Sequence, residues 1–405
     1  MSRVCVVGLG YVGLPSAALL AARGHEVLGC DINADVVAAV QAGRAHVVEP
    51  DLDMLLEAAI ATGRLRAATA PAPADYLVLA VPTPITPEHL PDLTMLEAAA
   101  DSIAPMLRPA CCVIIESTIP VGTTEAIAAR LAALRPDLRF PTRGGPVGDV
   151  MIAHCPERVL PGRTVQELVS NARVIGGITP ACAEVAAALY ASFATGPRHL
   201  TDCRTAEFVK LAENAYRDVN IAFANELANL GARSGVDPWA AIRLANHHPR
   251  VDILRPGPGV GGHCIAVDPW FLAAGAPDAA PLIRAARGVN DARPPIIAAE
   301  IARHAAGQPV ALFGLSYKPD IDDLRESPAL AVARILAGQG VALLVVEPHL
   351  TSLPAGLPGA ALVDAKAALA GAHCIGVLVA HSAFSPLRGQ LAGRCVVDAA
   401  GLLAA

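Results

Sequence analysis

Cys264 follows a run in which six of the eight residues from Arg255 to Gly262 are Gly or Pro, and Asp268 stands four positions beyond it. A thiol beside bare backbone is placed for nucleophilic attack, since glycine takes positive φ and lets a ligand approach the main chain closely. Most cysteines of a soluble chain are small buried hydrophobes, and the adjacent Cys111 and Cys112, in an apolar stretch, read that way. A second group lies on a helical pattern, where Lys210, Asn214 and Arg217 recur at i, i+4 and i+7 and share one face. Polar groups on such a stripe are costly unless satisfied, either by an interface network or by a reacting substrate. An ammonium facing a developing alkoxide or oxyanion stabilises it, and a carboxamide adds a neutral donor. Asp268 and Glu157 are the candidate proton acceptors, acting directly or through a water held by Thr118.

Lysine usage sharpens that pattern. Only Lys210, Lys318 and Lys366 are lysines among 31 basic residues. Lys can lose its proton when desolvated whereas Arg cannot, so a chain that otherwise uses Arg keeps Lys where Arg would not serve. Lys366, in an Ala-rich helix, reads as an ordinary surface residue.

The third group is Gly8, Gly10 and Gly13, set between a β-branched strand from Val4 and an Ala/Leu helix, with Asp31 ending the next strand 18 residues after Gly13. This is a βαβ unit with a phosphate-binding turn. Its glycines admit a pyrophosphate to the helix N-terminus, where unpaired N–H groups favour negative charge, and Asp31 meets a ribose 2'-hydroxyl, which selects NAD. Further strands at Tyr76 to Val81 and Cys112 to Glu116, each followed by a helix, imply a mostly parallel sheet. Thr83 and Thr118 would lie beyond its carboxyl edge, facing the cofactor cleft or capping the turns there.

At 405 residues the chain needs more than one core. A helix of some thirty residues from Thr205 to about Ser234 opens a helical middle segment, and a second α/β pattern returns from Val310 with Tyr317 and Lys318 in place of the glycine-rich turn. The expected architecture is α/β, two Rossmann-like doubly wound domains (1–200 and 306–405) joined by a central α-helical dimerisation segment (201–305). The ten cysteines show no CxxC pair, so neither a disulfide framework nor a zinc site is indicated, and reduced cytoplasmic thiols fit. No apolar run is long enough for a membrane span, and a net charge of −6 argues against a nucleic-acid surface. No metal is expected.

A nicotinamide domain with a separate reactive cysteine narrows the reaction. Alcohol oxidation needs a base but no nucleophile, whereas an aldehyde must become tetrahedral before it loses a second hydride. Thiolate addition achieves that, through a thiohemiacetal and then a thioester.

Motifs along nearly the whole chain resemble the UDP-glucose/GDP-mannose 6-dehydrogenases. They are Gly-Leu-Gly-Tyr-Val-Gly-Leu-Pro from Gly8, Glu-Ser-Thr-Ile-Pro-Val-Gly-Thr from Glu116, Cys-Pro-Glu-Arg from Cys155, Lys-Leu-Ala-Glu-Asn from Lys210, Gly-Gly-His-Cys from Gly261 and Leu-Arg-Glu-Ser-Pro from Leu324. The stretch from Pro256 to Trp270, Cys-Pro-Glu-Arg-Val-Leu-Pro-Gly and His-Pro-Arg from His248 are most similar to the branch acting on UDP-N-acetyl-D-mannosamine. The resemblance implies Cys264 as nucleophile and Lys210 as acid/base group, supported by Asn214, Asp268, Glu157 and Thr118. It implies NAD contacts from Tyr11, Val12, Asp31, Thr83, Thr124 and Arg325. Sugar-nucleotide contacts would come from Arg158, Val159, Arg217, His248, Arg250 and Gly261, and the uridine-diphosphate end would meet Tyr317 and Lys318. It also implies a homodimer built on the long helix, with Arg250 entering the partner's site.

Two departures bear on substrate. UDP-glucose members carry a second Glu soon after the first, where this chain has Pro161 and Gly162, which favours an N-acetylated sugar. The stretch from His304 to Gln308 is short for this branch and reads as trimmed surface. UDP-N-acetylglucosamine and UDP-glucose remain alternative substrates, and a two-electron dehydrogenase or a catalytically silent NAD or sugar-nucleotide sensor are the rival functions. The glycines before Cys264 are expected to give the sugar room against the backbone.

Overall fold

The structure, a computed structural model, describes every residue except Val48, Pro161, His263 and Ala405. The chain divides into two compact units, Met1–Glu213 with Trp270–Gly275, and Asn214–Pro269 with Ala276–Ala405. The division falls inside the long helix Cys203–Ser234.

In the first unit eight strands form one sheet: β1 Arg3–Val7, β2 Glu26–Cys30, β3 Leu65–Ala68, β4 Tyr76–Leu79, β5 Cys112–Ile115, β6 Met151–His154, β7 Arg173–Gly177 and β8 Arg198–Asp202. Their order is β3-β2-β1-β4-β5-β6-β7-β8, with β6 and β7 antiparallel and the other neighbours parallel. Helices cover both faces, so the central strands are apolar on both sides. Val4 and Val6 of β1 enter one core while Cys5 enters the other, and β4 divides Val78 from Leu77 and Leu79 in the same way. Burying each such Val or Leu contributes about 1.5–3 kcal/mol.

The turn after β1 is fixed by close backbone packing. Gly8 has φ +92°, and a Cβ there would stand 2.6 Å from the Ala80 carbonyl oxygen. At Gly13, the first residue of helix Gly13–Ala22, a Cβ would stand 1.9 Å from the Gly8 carbonyl oxygen. Gly10 differs, since nothing lies within 4 Å of its Cβ position, and the turn is open on that side.

The second unit holds a parallel five-stranded sheet of β9 Val310–Phe313, β10 Leu343–Val346, β11 Ala361–Leu362, β12 Cys374–Val377 and β13 Cys395–Asp398, ordered β11-β10-β9-β12-β13. Its first turn repeats that of the first unit although the sequence motif is absent. Gly314 has φ +90° and donates to the Val346 carbonyl at 2.9 Å, as Gly8 does to Cys30 at 2.8 Å. The Leu315 amide donates to Glu347 at 2.7 Å, as Leu9 does to Asp31 at 3.0 Å. The two ends therefore share a physical device: an acid at the end of the second strand holds the turn after the first.

The long helix has 32 residues, about 48 Å at 1.5 Å per residue. In the second unit it carries a ladder of polar side chains. Asn220 accepts the Leu254 amide at 3.0 Å and donates to the Asp252 carbonyl at 3.1 Å, and Asn225 accepts the Gly257 amide at 2.8 Å. Asp218 pairs with buried Arg287 at 2.7 Å and accepts from Asn290 at 2.8 Å. Asn290 also accepts from Asn225, and Arg293 donates to the Gly257 carbonyl at 3.0 Å. The helical pattern from Pro281 resolves into two helices, Pro281–Asp291 and Arg293–Ala305; Pro294 and Pro295 supply no amide hydrogen to continue the first.

Gly13→Ala should destabilise the fold by about 3 kcal/mol or more, because the obstruction is backbone. Gly10→Ala should leave Tm nearly unchanged while weakening NAD binding at least about tenfold. Thermal melts and NAD titrations of both variants distinguish the packing glycine from the ligand-facing one, and equal melting losses would contradict this division.

Candidate active site

Asp31 accepts the Leu9 amide at 3.0 Å and the Asn33 amide at 2.9 Å, which orients its carboxylate beside the open Gly10 turn. Tyr11 is exposed, and Val12 precedes the first helical turn half-buried. An open turn at a helix N-terminus beside a positioned acid fits a dinucleotide: the turn would receive the pyrophosphate and Asp31 a ribose hydroxyl.

Beyond β4 and β5 the chain ties its two turns together. Thr83 donates its hydroxyl to the Thr118 carbonyl at 2.6 Å, and Ser117 donates to the Val81 carbonyl at 2.6 Å. Thr83 thus braces the Thr118 turn with its hydroxyl. Thr124 is fully buried, and its hydroxyl and amide both donate to Glu207 on the long helix. Glu207 also accepts the Gly122 amide at 2.6 Å. Burial pushes its carboxyl up in pKa, against those donors.

Glu157 accepts the Val159 amide. Arg158 forks onto Glu213, with Nε at 2.9 Å, and donates to the Ala172 carbonyl at 3.0 Å. Glu213, one turn from Lys210 and beside Asn214 on the long helix, escaped the sequence reading because a Glu in a helix usually faces water. Pro161 lies outside the described residues; its neighbour Gly162 donates to buried Glu49 at 2.7 Å. Lys210 is buried. Near it, fully buried His154 donates Nδ1–H to the Ile115 carbonyl at 2.9 Å, and Nε2 has no hydrogen-bond partner among the described residues. Behind this strand end, buried Glu116 accepts from Tyr190 at 2.7 Å and Ser16 at 3.3 Å, and burial raises its pKa.

In the second unit, Asn214 donates to Asp268 at 2.5 Å, and both are buried. The Asp268 amide donates to the Cys264 carbonyl at 2.8 Å, opening helix Asp268–Gly275. Of the ten cysteines, eight are buried, Cys395 is half-buried and Cys264 is exposed. The glycine run has a different use from the expected one. A Cβ at Gly259 would stand 2.9 Å from Pro328 Cβ, one at Gly261 2.5 Å from the Glu326 carbonyl oxygen, and one at Gly262 2.8 Å from the Tyr317 ring. The room these glycines make is filled by the protein itself, so that the thiol-bearing segment lies flat on the loop after β9. Tyr317 and Lys318 of that loop are half-buried. Arg325, expected at the cofactor, is exposed and held by Asp323, with Nε at 2.8 Å. Arg217, His248 and Arg250 are exposed, the Arg250 amide donating to His248 Nδ1 at 3.3 Å. His263 of the Gly-Gly-His-Cys motif lies outside the described residues.

Three family models match the chain: the NAD binding domain of the UDP-glucose/GDP-mannose dehydrogenase family at residues 2–194, its central domain at 204–292 and its UDP binding domain at 311–405. An NDP-N-acetyl-D-galactosaminuronic acid dehydrogenase of Ralstonia nicotianae is 52% identical over 407 residues, covering 99% of this chain and 96% of the relative. A UDP-N-acetyl-D-mannosamine dehydrogenase of Escherichia coli is 50% identical over 415 residues, covering 99% of each. Among solved structures, a UDP-D-ManNAc dehydrogenase from Pyrococcus horikoshii superposes with a TM-score of 0.86 at 37% identity, covering 97% of this chain and 93% of that one.

His154 makes the fold acid-sensitive. Burial first, aided by the Lys210 ammonium and opposed by the Ile115 carbonyl, pulls its pKa from 6.5 down to about 3. The unfolded chain takes up this proton below pH 6.5 and the folded chain does not until about pH 3. Stability is therefore lost as pH falls through that window, by about 1.4 kcal/mol per unit. Urea unfolding at pH 7.5 and 5.5 should show His154→Gln losing about 1.4 kcal/mol less than the parent between the two; parallel losses would contradict it.

Proposed function

The chain belongs to the UDP-glucose/GDP-mannose dehydrogenase family, and from that premise we propose that it oxidises carbon 6 of UDP-N-acetyl-D-mannosamine to the uronate in two successive steps. It is an NAD-dependent UDP-sugar dehydrogenase. The observation that carries the four-electron reading is Cys264, the exposed thiol beside eight buried cysteines and the half-buried Cys395. A sensor or a two-electron dehydrogenase has no use for it.

NAD, held at the Gly10 turn and by Asp31, would accept one hydride in each of the two oxidations. In the first, Lys210, once it has given its own proton to water, takes the proton of the carbon 6 hydroxyl and the alcohol becomes an aldehyde. The Cys264 thiolate then adds to the aldehyde carbon, and the resulting oxyanion is stabilised by Lys210 and the Asn214 carboxamide. Loss of the second hydride leaves a thioester on Cys264. Asp268, held by Asn214, and Glu157 accept protons from the water that hydrolyses it, with Thr118 orienting that water. Hydrolysis releases the uronate and restores the thiolate.

Arg158, Val159, Arg217, His248, Arg250 and Gly261 would contact the sugar nucleotide, and Tyr317 and Lys318 its uridine-diphosphate end. Two sugar configurations have support. Relatives at 49–50% identity are named for N-acetyl-D-mannosamine, and the 52% relatives for N-acetyl-D-galactosaminuronic acid, which makes the galacto sugar the second reading. The uronate product suits precursors of surface polysaccharide. No disulfide joins cysteines among the described residues, which suits a reducing, cytoplasmic location; no helix among them is long and apolar enough to cross a membrane.

A homodimer through the long helix is supported by its exposed face. Tyr216, Phe223 and Leu230 follow one another at intervals of seven and are 63%, 52% and 53% exposed, an apolar seam of the kind that pairs with a second helix. Arg250 would reach into the partner's site across that seam.

Incubation with a panel of UDP-sugars should yield two NADH per molecule of UDP-N-acetyl-D-mannosamine consumed, and turnover confined to UDP-glucose or UDP-N-acetylglucosamine would overturn the substrate assignment. Cys264→Ser should lose acid formation by on the order of a thousandfold or more while keeping nucleotide affinity; unchanged turnover removes the thiol from the mechanism. Phe223→Arg should convert a dimer to a monomer in light scattering, and a parent protein that is itself monomeric refutes the interface.

A further inference from the structure

His381 is fully buried at the end of the second unit's sheet, beyond β12, and no part of the chemistry above uses it. Its ring is held on two sides. The Asp320 amide donates to Nδ1 at 2.9 Å, so the ring hydrogen is assigned to Nε2. From there it faces Glu347 Oε2 at 3.1 Å, with Ser316 Oγ at 3.4 Å. Glu347 Oε2 also accepts the Leu315 amide at 2.7 Å and the Ser316 amide at 3.3 Å, and its other oxygen accepts the His349 amide at 3.1 Å. Ser316 Oγ donates to the Lys318 carbonyl at 2.8 Å, and Ser382, next to His381, donates its amide and hydroxyl to Asp320 Oδ1 at 2.8 and 3.0 Å. Burial drives the Glu347 carboxyl up in pKa, but His381 and the amides outweigh it and hold it below its ordinary value.

Asp320, His349 and His381 also bring three ligand atoms within 4.8 Å of one another. The Nδ1 lone pair that an ion would need already accepts from the Asp320 amide, so this cluster is a hydrogen-bonded brace and carries no metal proposal. What it braces is the loop after β9. Leu315 and Ser316 are fixed on one side of Tyr317 and Lys318, and Asp320, at φ +63°, on the other.

We propose that His381 is a positioning residue for nucleotide binding: through Glu347, Ser316 and the Asp320 amide it holds the Tyr317–Lys318 segment in the conformation that receives the uridine diphosphate. This rests on the reading that Tyr317 and Lys318 meet that end of the substrate. In both units the acid holds the first turn; in the first, Asp31 stands beside an open turn, and in the second His381 covers the acid.

The test is calorimetric titration of UDP into the full-length parent and into Lys318→Ala, His381→Phe and His381→Asn, with NAD affinity and Tm followed in parallel. Lys318→Ala should weaken UDP at least tenfold, and if it does not, the underlying reading of the loop fails. Given that loss, His381→Phe should also weaken UDP at least tenfold with NAD affinity unchanged. His381→Asn, which can still accept the Asp320 amide, should lose less. UDP affinity at the parent level in both His381 variants overturns the proposal while leaving the loop's role intact, and parallel losses of UDP and NAD affinity overturn it in favour of a general folding role. In the parent, independent of any variant, hydrogen exchange of the Asp320 amide should be slowed at least a hundredfold by its buried acceptor; exchange at the rate of an open loop also overturns it.

Discussion

The stretch from Asp252 to Gly257 has no strand or helix to satisfy its backbone, yet it leads into the segment that carries Cys264. A backbone without regular partners must find side-chain partners or water. Here the partners come from Asn220 and Asn225 of the long helix and from Asn246, which both accepts the Ile253 amide and donates to its carbonyl. Asn225 is itself locked by Asn290, and Asn290 by Asp218, whose charge is balanced by Arg287. Removing one member of such a network exposes the rest to an unsatisfied buried charge or amide, which costs far more than the single bond is worth. The setting of Cys264 is therefore inherited from carboxamides of the long helix and of the C-terminal end of helix Pro238–Ala245, and the loop needs little order of its own.

The same economy of parts governs both sheets. Each first turn is held by a glycine at positive φ and by an acid from the second strand. At the first turn the glycine-rich sequence leaves space on the outer side, while at the second a tyrosine and a lysine fill it. One backbone geometry supports two surfaces of opposite character because the support lies beneath the turn.

What was legible in the residues is what local rules control. The strand-turn-helix at Gly8, the long helix without Gly or Pro until Gly231, and the unusual position of Cys264 all follow from short-range preference or spacing. The edge strand β8 was not visible, because Arg198, His199 and Leu200 are exposed and show no alternation. The Asn ladder was hidden for a different reason: Asn220 and Asn225 look like solvent-facing positions until their long-range partners are known. The partner of the Thr124 hydroxyl, Glu207, lies more than eighty positions away, beyond the reach of local rules. The glycines before Cys264 were correctly singled out as a place of close approach, and only the identity of what approaches, Tyr317 and the Glu326–Pro328 segment, required the fold.

That contact between Gly262 and Tyr317 ties two kinds of change together. The loop after β9 and the thiol-bearing segment share one layer of atoms, with the Gly262 amide donating to the Arg325 carbonyl at 3.2 Å. Any bulky replacement on the loop also shifts the floor under Cys264. On the proposed reading of the loop as the seat of the nucleotide, divergence in base preference would proceed by paired substitutions, one on each side of the layer, and a transplanted loop would need its matching glycine segment to travel with it.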